Sequence, residues 1–351
     1  MSNKPMRIMT LGYSNVGKTY FLGSLFKLSF ETGQKGFSLQ NQRFHDLGRL
    51  QDVYDTVTEQ KGGAISTTMG LQTAHMDLRK GVTPVITLEL TDIEGQALEP
   101  SRSTNSAEEI IDKIVQYDGL ILLLEAPGDK VKVNLAKMQL AQMLLFAGKV
   151  LENNRGIPVT LVLNKIDALP KAKGVRDNIE QVDADLRTKL KKQFPNDRKA
   201  VAQALRTQRG ERIGSIVKPI IDTVEIDEIL EQFFTWVTNT GGMQIPNRVF
   251  PCTSLGFDNS KANESDSSTF VADLASIEPY GSAAAFLWTI YARLNAQNNN
   301  SGLTKILGGD PIAKDLLEDI KELHTSGKAF FDNSVQLWSL RNISNLYSDK
   351  L

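Results

Sequence analysis

Apolar and polar positions divide the chain into two regimes. Up to about residue 163, short apolar runs alternate with amphipathic stretches. Arg7–Leu11, Gly119–Leu124 and Pro158–Leu163 are continuous enough to read as strands covered on both faces. Two further strands are expected near 71–79 and 85–91, with Gly81 and Pro84 marking the turn between them. Helical spacing predicts helices from Lys18 to about Phe30, over 106–117 and over 131–152. It also predicts one over 39–60, where Leu39, Phe44, Leu47, Leu50, Val53 and Val57 fall close to one face. Alternation of this kind implies a layered α/β domain.

The rhythm then stops for about eighty residues. Val175, Ile179, Val182, Leu186, Leu190 and Phe194 form one helical stripe, ended by Pro195. A strand resumes near 248–251, residues 257–269 are polar and expected to be mobile, and Ala283–Leu294 reads as a helix. Asn298–Gly302 has the composition of a linker. Asp310-Pro311 then starts a stripe of Ile312, Leu316, Ile320 and Leu323, followed by an aromatic-rich helix near 330–346. The expected division is a domain over 1–297, with helical insertions at about 31–63 and 168–246, and a helical extension over 298–351.

Composition narrows the class without naming it. At 351 residues, 41% hydrophobic and 23% charged, the chain is neither fibrous nor wholly disordered. Forty basic side chains nearly cancel forty-one acidic ones, so no global charge calls for nucleic acid. Residues 187–218 carry ten basic and two acidic side chains, yet 222–231 carry five acidic ones and no aromatic platform accompanies the basic stretch. Pairing or solvation is the preferred reading there over nucleic-acid or lipid binding. The single cysteine, Cys252, fits a reducing compartment, and no run approaches the ~20 apolar residues of a membrane span. A cytoplasmic protein with no transmembrane segment is expected.

Three loops carry the chemistry. Gly12-Tyr13-Ser14-Asn15-Val16-Gly17-Lys18-Thr19 lies between a strand and an apolar helix, and has the pattern of a phosphate-binding loop. Backbone N–H groups there bind phosphate oxygens, and the helix places its positive end toward them. Gly12, Ser14, Asn15, Val16, Gly17, Lys18, Thr19 and Tyr20 are the candidate contacts. Lys18 would reach the terminal phosphates and Thr19 would offer its hydroxyl to Mg²⁺. Asp92-Ile93-Glu94-Gly95 follows the strand ending at Thr91. Asp92 there can hold Mg²⁺ through water, Gly95 can turn its N–H to a γ-phosphate, and Gln96 can orient an attacking water. A solvent-facing Gln96 is the alternative. Asn164-Lys165-Ile166-Asp167 follows the strand ending at Leu163. The Asp167 carboxylate can accept both N1–H and the 2-amino group of guanine, a donor pair that adenine lacks. Lys165 can lie along the base, and Asn164 can tie this loop to the phosphate loop.

These ordered motifs resemble the Ras-like P-loop GTPases of the translation-factor-related class, over Arg7 to about Gly256. The resemblance implies a three-layer fold with a mainly parallel six-stranded sheet and one antiparallel edge strand, the strands at 71–79 and 85–91 forming the antiparallel pair. It implies that Thr68 is the switch threonine that binds Mg²⁺ when a γ-phosphate is present, with Thr67 second. Thr253-Ser254-Leu255 is similar to the loop whose backbone contacts the guanine oxygen, although leucine and glycine stand where the family has alanine and lysine. Expected ligands are GTP or GDP and Mg²⁺. Asn15 also matches GTPases that use K⁺. The stretch Gly63–Thr68 holds no arginine, so slow intrinsic hydrolysis is expected, with catalysis by Gln96, Lys18 and Thr68 and stimulation by an activator. The expected function is a GTP-hydrolysing switch for a protein effector, its oligomeric state open. A non-catalytic nucleotide-binding scaffold is the alternative, and an ATPase, which Asp167 disfavours, a third.

Overall fold

The computed structural model describes residues 5–31, 37–41, 71–80, 83–93, 117–153, 156–197, 224–240, 247–254, 256–257, 260–262, 270–272 and 280–299, with single positions between 200 and 220. Its main sheet has seven strands: β1 (Met6–Leu11), β2 (Phe37–Asn41), β3 (Leu71–Lys80), β4 (Thr83–Ile93), β5 (Gly119–Glu125), β6 (Val159–Asn164) and β7 (Asn247–Pro251). They lie side by side as β2-β3-β4-β1-β5-β6-β7. Neighbours from β4 to β7 run parallel, while β3 runs antiparallel to both β4 and β2.

Hydrophobic pattern and position in the sheet agree. Leu120–Leu124 of β5 and all of β6 are buried at every residue, because helices cover both faces of the central strands. Towards the edge, Ala74, Met76 and Leu78 of β3 are buried and alternate with partly exposed Thr73, His75 and Asp77, the pattern of a half-covered strand. Among the described residues, the longer helices are α1 (Lys18–Glu31), α2 (Lys130–Asn153), α3 (Val175–Gln193), α4 (Val224–Asn239) and α5 (Ser282–Asn299). α1 packs with α5, and α2 packs with α4. At the amino end of β5, the Asp118 carboxylate accepts the Arg7 backbone N–H at 3.1 Å and the Arg293 guanidinium at 2.7 Å. That charge-assisted bond clamps α5 across the sheet.

The expected α/β class and the six expected strands are present, with three corrections. The sheet has a seventh strand, so the antiparallel β3 is not the edge; β2 lies outside it. The helix expected from residue 39 begins instead as this strand, where Phe37 and Leu39 alternate with Ser38 at a period of two. Pairing β2 satisfies the backbone donors and acceptors along the outer side of β3, which a local helical count does not register. The polar stretch 257–269 was expected to be mobile, but its residues Ser260–Ala262 form β8, paired antiparallel with β9 (Phe270–Ala272). The helix expected over 106–117 falls almost wholly outside the described residues. So do the rest of 39–60 and the tail from 300 onward. Among the described residues, no helix is long and apolar enough to cross a membrane.

Candidate functional site

Parallel strands bring their carboxyl ends to one side of the sheet, where loops form the crevice that ligands use. β1 delivers residues 12–17 there, β4 delivers Asp92, β6 delivers residues 164–168 and β7 delivers residues 252–256. The register seats Asp92 beside Thr10, two residues before the phosphate loop begins.

The loop turns through left-handed backbone at Asn15 (φ 64°) and Gly17 (φ 86°). At Gly17 a side chain is excluded twice over: the φ is unfavourable, and a Cβ would stand 2.7 Å from Asn164 Nδ2. α1 then starts at Lys18, with the Phe21 N–H donating to the Gly17 carbonyl at 2.8 Å. The Lys18 ammonium is buried and donates to the carbonyls of Gly12 (2.7 Å) and Tyr13 (3.0 Å), so it lies curled under the loop. The Tyr13 hydroxyl donates to Gln142 on α2. Thr19 and Tyr20 are half-buried in the first helical turn, Ser14 is half-buried and Asn15 is exposed.

Asn164 binds three loops into one unit. Its buried amide donates to the Val16 carbonyl at 2.8 Å, and its amide oxygen accepts the Ser254 hydroxyl at 3.2 Å. Lys165 follows in left-handed backbone (φ 61°) and donates to Glu125 Oε2 at 2.8 Å. Asp167 sits half-buried in a short 3-10 turn, Ile166–Ala168. That turn is anchored by the Ile166 N–H on the Cys252 carbonyl (3.2 Å), while the Cys252 N–H reaches back to Leu163 (2.8 Å). Thr253 exchanges backbone hydrogen bonds with Tyr280, and its hydroxyl accepts the Gly256 N–H at 3.0 Å, closing the third loop. The structure therefore gathers the phosphate loop, the 164–167 loop and Thr253-Ser254 at one place, with Asp92 on the adjoining strand. Thr67, Thr68, Gly95, Gln96 and Leu255 lie outside the described residues. Sequence reasoning missed Glu125 as the partner of Lys165; its signal was a lone acid ending an apolar strand.

Burial pushes the Cys252 thiol from 9.0 up to about 12, and Asp167 adds to the rise against the opposing Ser282 and Ser254 hydrogen bonds. The thiol ionises sooner in the unfolded chain, which then binds fewer protons than the folded one. Stability carried by Cys252 is thus complete below 9.0 and declines as pH rises towards about 12. Chemical denaturation across this range should show a steeper loss for the parent chain than for Cys252→Ala; identical slopes would contradict the buried thiol.

A family model described as Double-GTPase 1 matches residues 9–161. A search of curated proteins finds no match. Similar solved structures include the Arl6 BBS3 small GTPase from Trypanosoma brucei, at 12% identity and TM-score 0.37, spanning 84% of this chain and 99% of that one. They also include the Sar1-type GTPase from Encephalitozoon cuniculi, at 14% identity and TM-score 0.33, spanning 85% of this chain and 84% of that one. The Ski7 GTPase-like domain of S. cerevisiae matches at 12% identity and TM-score 0.37, over 81% of this chain and 49% of that one. That family model runs from β1 into β6, so residues 9–161 of this chain are similar to Double-GTPase 1, and Asn164, just beyond that stretch, joins the 12–17 loop to the 164–167 loop.

Proposed function

We propose that this chain binds GTP, hydrolyses it to GDP and phosphate with Mg²⁺, and uses the difference as a switch for a protein effector in the cytoplasm. The observation that supports this most directly is the bond from Asn164 to Val16, which locks a guanine-type loop onto a phosphate loop. Backbone N–H groups at the start of α1 and the Lys18 ammonium would hold the phosphates. Asp167 would accept the two guanine donors, with the stem of Lys165 along the base, and the 253–255 backbone would meet the guanine oxygen.

The donor set fits Mg²⁺, a hard cation that takes oxygen ligands. Thr19 offers a hydroxyl at the first turn of α1, and Asp92, a carboxylate residue, pairs in backbone register with Thr10. Thr68 would add a third oxygen in the triphosphate state. When bound, the ion offsets phosphate charge. Gln96 would orient the attacking water. No arginine precedes Thr68, so intrinsic turnover should be slow, on the order of 10⁻⁴ to 10⁻³ s⁻¹, and open to an activator. Thr68 and Gly95 would loosen once the γ-phosphate leaves, which gives the effector two states to distinguish.

Competition binding with GTP, GDP and ATP tests the nucleotide reading. GTP and GDP should each displace a guanine probe at least about 100-fold better than ATP. Asp167→Asn should remove most of that margin while leaving triphosphate contacts alone; equal competition by ATP in the parent chain would sink the guanine assignment. Gln96→Leu tests the chemistry separately. Single-turnover hydrolysis should fall by at least about 10-fold with GTP affinity kept. Unchanged turnover removes Gln96 from the reaction, and the absence of any turnover in the parent chain favours the scaffold reading.

A further inference from the structure

Among the described residues, the four large apolar side chains that stand exposed all lie on α2: Val131 (81%), Leu135 (54%), Met138 (65%) and Leu145 (69%). Their spacing of four, three and seven residues puts them on one face, the spacing of a helix–helix seam. The opposite face, with Ala136, Leu140, Met143 and Ala147, is buried against the sheet. α2 is therefore apolar on two sides, and four exposed apolar side chains aligned on one face form a candidate contact surface. Gln142 falls on the outer stripe between Met138 and Leu145 and accepts the hydroxyl of Tyr13 from the phosphate loop.

We propose that the outer stripe of α2 is the docking surface for residues 310–324 of this same chain. Three observations select that occupant. Its own stripe, Ile312, Leu316, Ile320 and Leu323, repeats at four, four and three residues, so two matching seams face each other. Charge is complementary: residues 310–324 carry five acidic and two basic side chains, whereas α2 carries four lysines and one acid, Glu152. The length of chain beyond α5 allows a separate docked segment, since α5 ends at Asn299 and about ten linker residues reach up to ~33 Å when extended. A second copy of α2 would set lysines against lysines. An anionic lipid surface would meet the same lysines, but it does not call for apolar residues at the spacing of a helix–helix seam. The inference does not depend on the nucleotide reading.

The test uses the full chain, whose only native cysteine is buried and held neutral. Met138→Cys should react with a maleimide at least about 10-fold more slowly than Lys191→Cys on the exposed side of α3, and adding Ile320→Asp should restore the reference rate. A second measurement covers misfolding of that variant. At dilute concentration, Met138→Cys combined in turn with Leu316→Cys, Ile320→Cys or Leu323→Cys should give an intramolecular disulfide in at least one pair. Labelling of Met138→Cys at the reference rate overturns the proposal, as does failure of all three pairs. Protection that rises with protein concentration overturns it in favour of a second copy. Protection seen only with phosphatidylserine vesicles overturns it in favour of a lipid surface.

Discussion

Replacing Lys18 by methionine is expected to weaken GTP binding by at least about 100-fold while the domain stays folded. The ammonium is buried under the loop and donates to the carbonyls of Gly12 and Tyr13 at 2.7 and 3.0 Å. It is thus held where phosphate charge would arrive, at little further cost in side-chain entropy. A methionine of similar length fills the space but carries no charge and no donor. Two loop carbonyls then lose a donor, which should reduce stability by about 1–3 kcal/mol. Calorimetric titration with a non-hydrolysable GTP analogue, run beside a melting curve, separates the two effects. Unchanged affinity in a folded Lys18→Met chain would rule this loop out as the phosphate site.

Gly281→Ala should be the most destabilising single methyl addition at the glycines described. Gly281 has φ +81°, and a Cβ there would stand 2.1 Å from the Pro251 carbonyl oxygen and 3.2 Å from the Cys252 Cα. Neither neighbour can yield, because Thr253 and Tyr280 on either side exchange backbone hydrogen bonds at 2.9 and 3.0 Å. Gly174 supplies the control, with φ +76° and no atom within 4 Å of its would-be Cβ. Gly174→Ala should cost about 1 kcal/mol from backbone strain alone. Gly281→Ala should cost at least about 4 kcal/mol, or fail to fold. Urea denaturation of both variants checks the difference. Equal midpoints would mean that Gly281 is not pressed against Pro251 and Cys252. A folded remnant of Gly281→Ala should also bind guanine poorly, since the 252–256 loop would shift.

Much of the site was legible because its chemistry is local. The loop from Gly12 to Thr19 needs asparagine or glycine where the backbone is left-handed and a helix start directly after it, and both needs are written in consecutive residues. The 164–167 loop was legible for the same reason, as was the apolar run of β5, whose burial on both faces leaves no polar position to misread. The misplaced helix at 39 shows the limit of this reading. Phe37 to Gln40 alternate at period two, but their strand exists because β3 offers an unpaired edge, and the residues of β3 begin thirty positions after Asn41. Glu125 was missed for a similar reason: its meaning lies in Lys165, forty residues away.

The sequence by itself determined which chemistry is available: a lysine and a threonine after a glycine turn, acids at strand ends, and the Asp167 carboxylate just past the strand that ends at Asn164. These depend on residue type and near-neighbour spacing, which any stretch of chain carries with it. Tertiary structure alone decided that the loops meet. Parallel pairing of β1, β4, β5 and β6 sends their ends to one side, and the Asn164 amide spans 148 residues of sequence to reach Val16. The same packing turned the stripe on α2 outward, because burying one face of a helix against a sheet leaves the opposite face to solvent or to a partner.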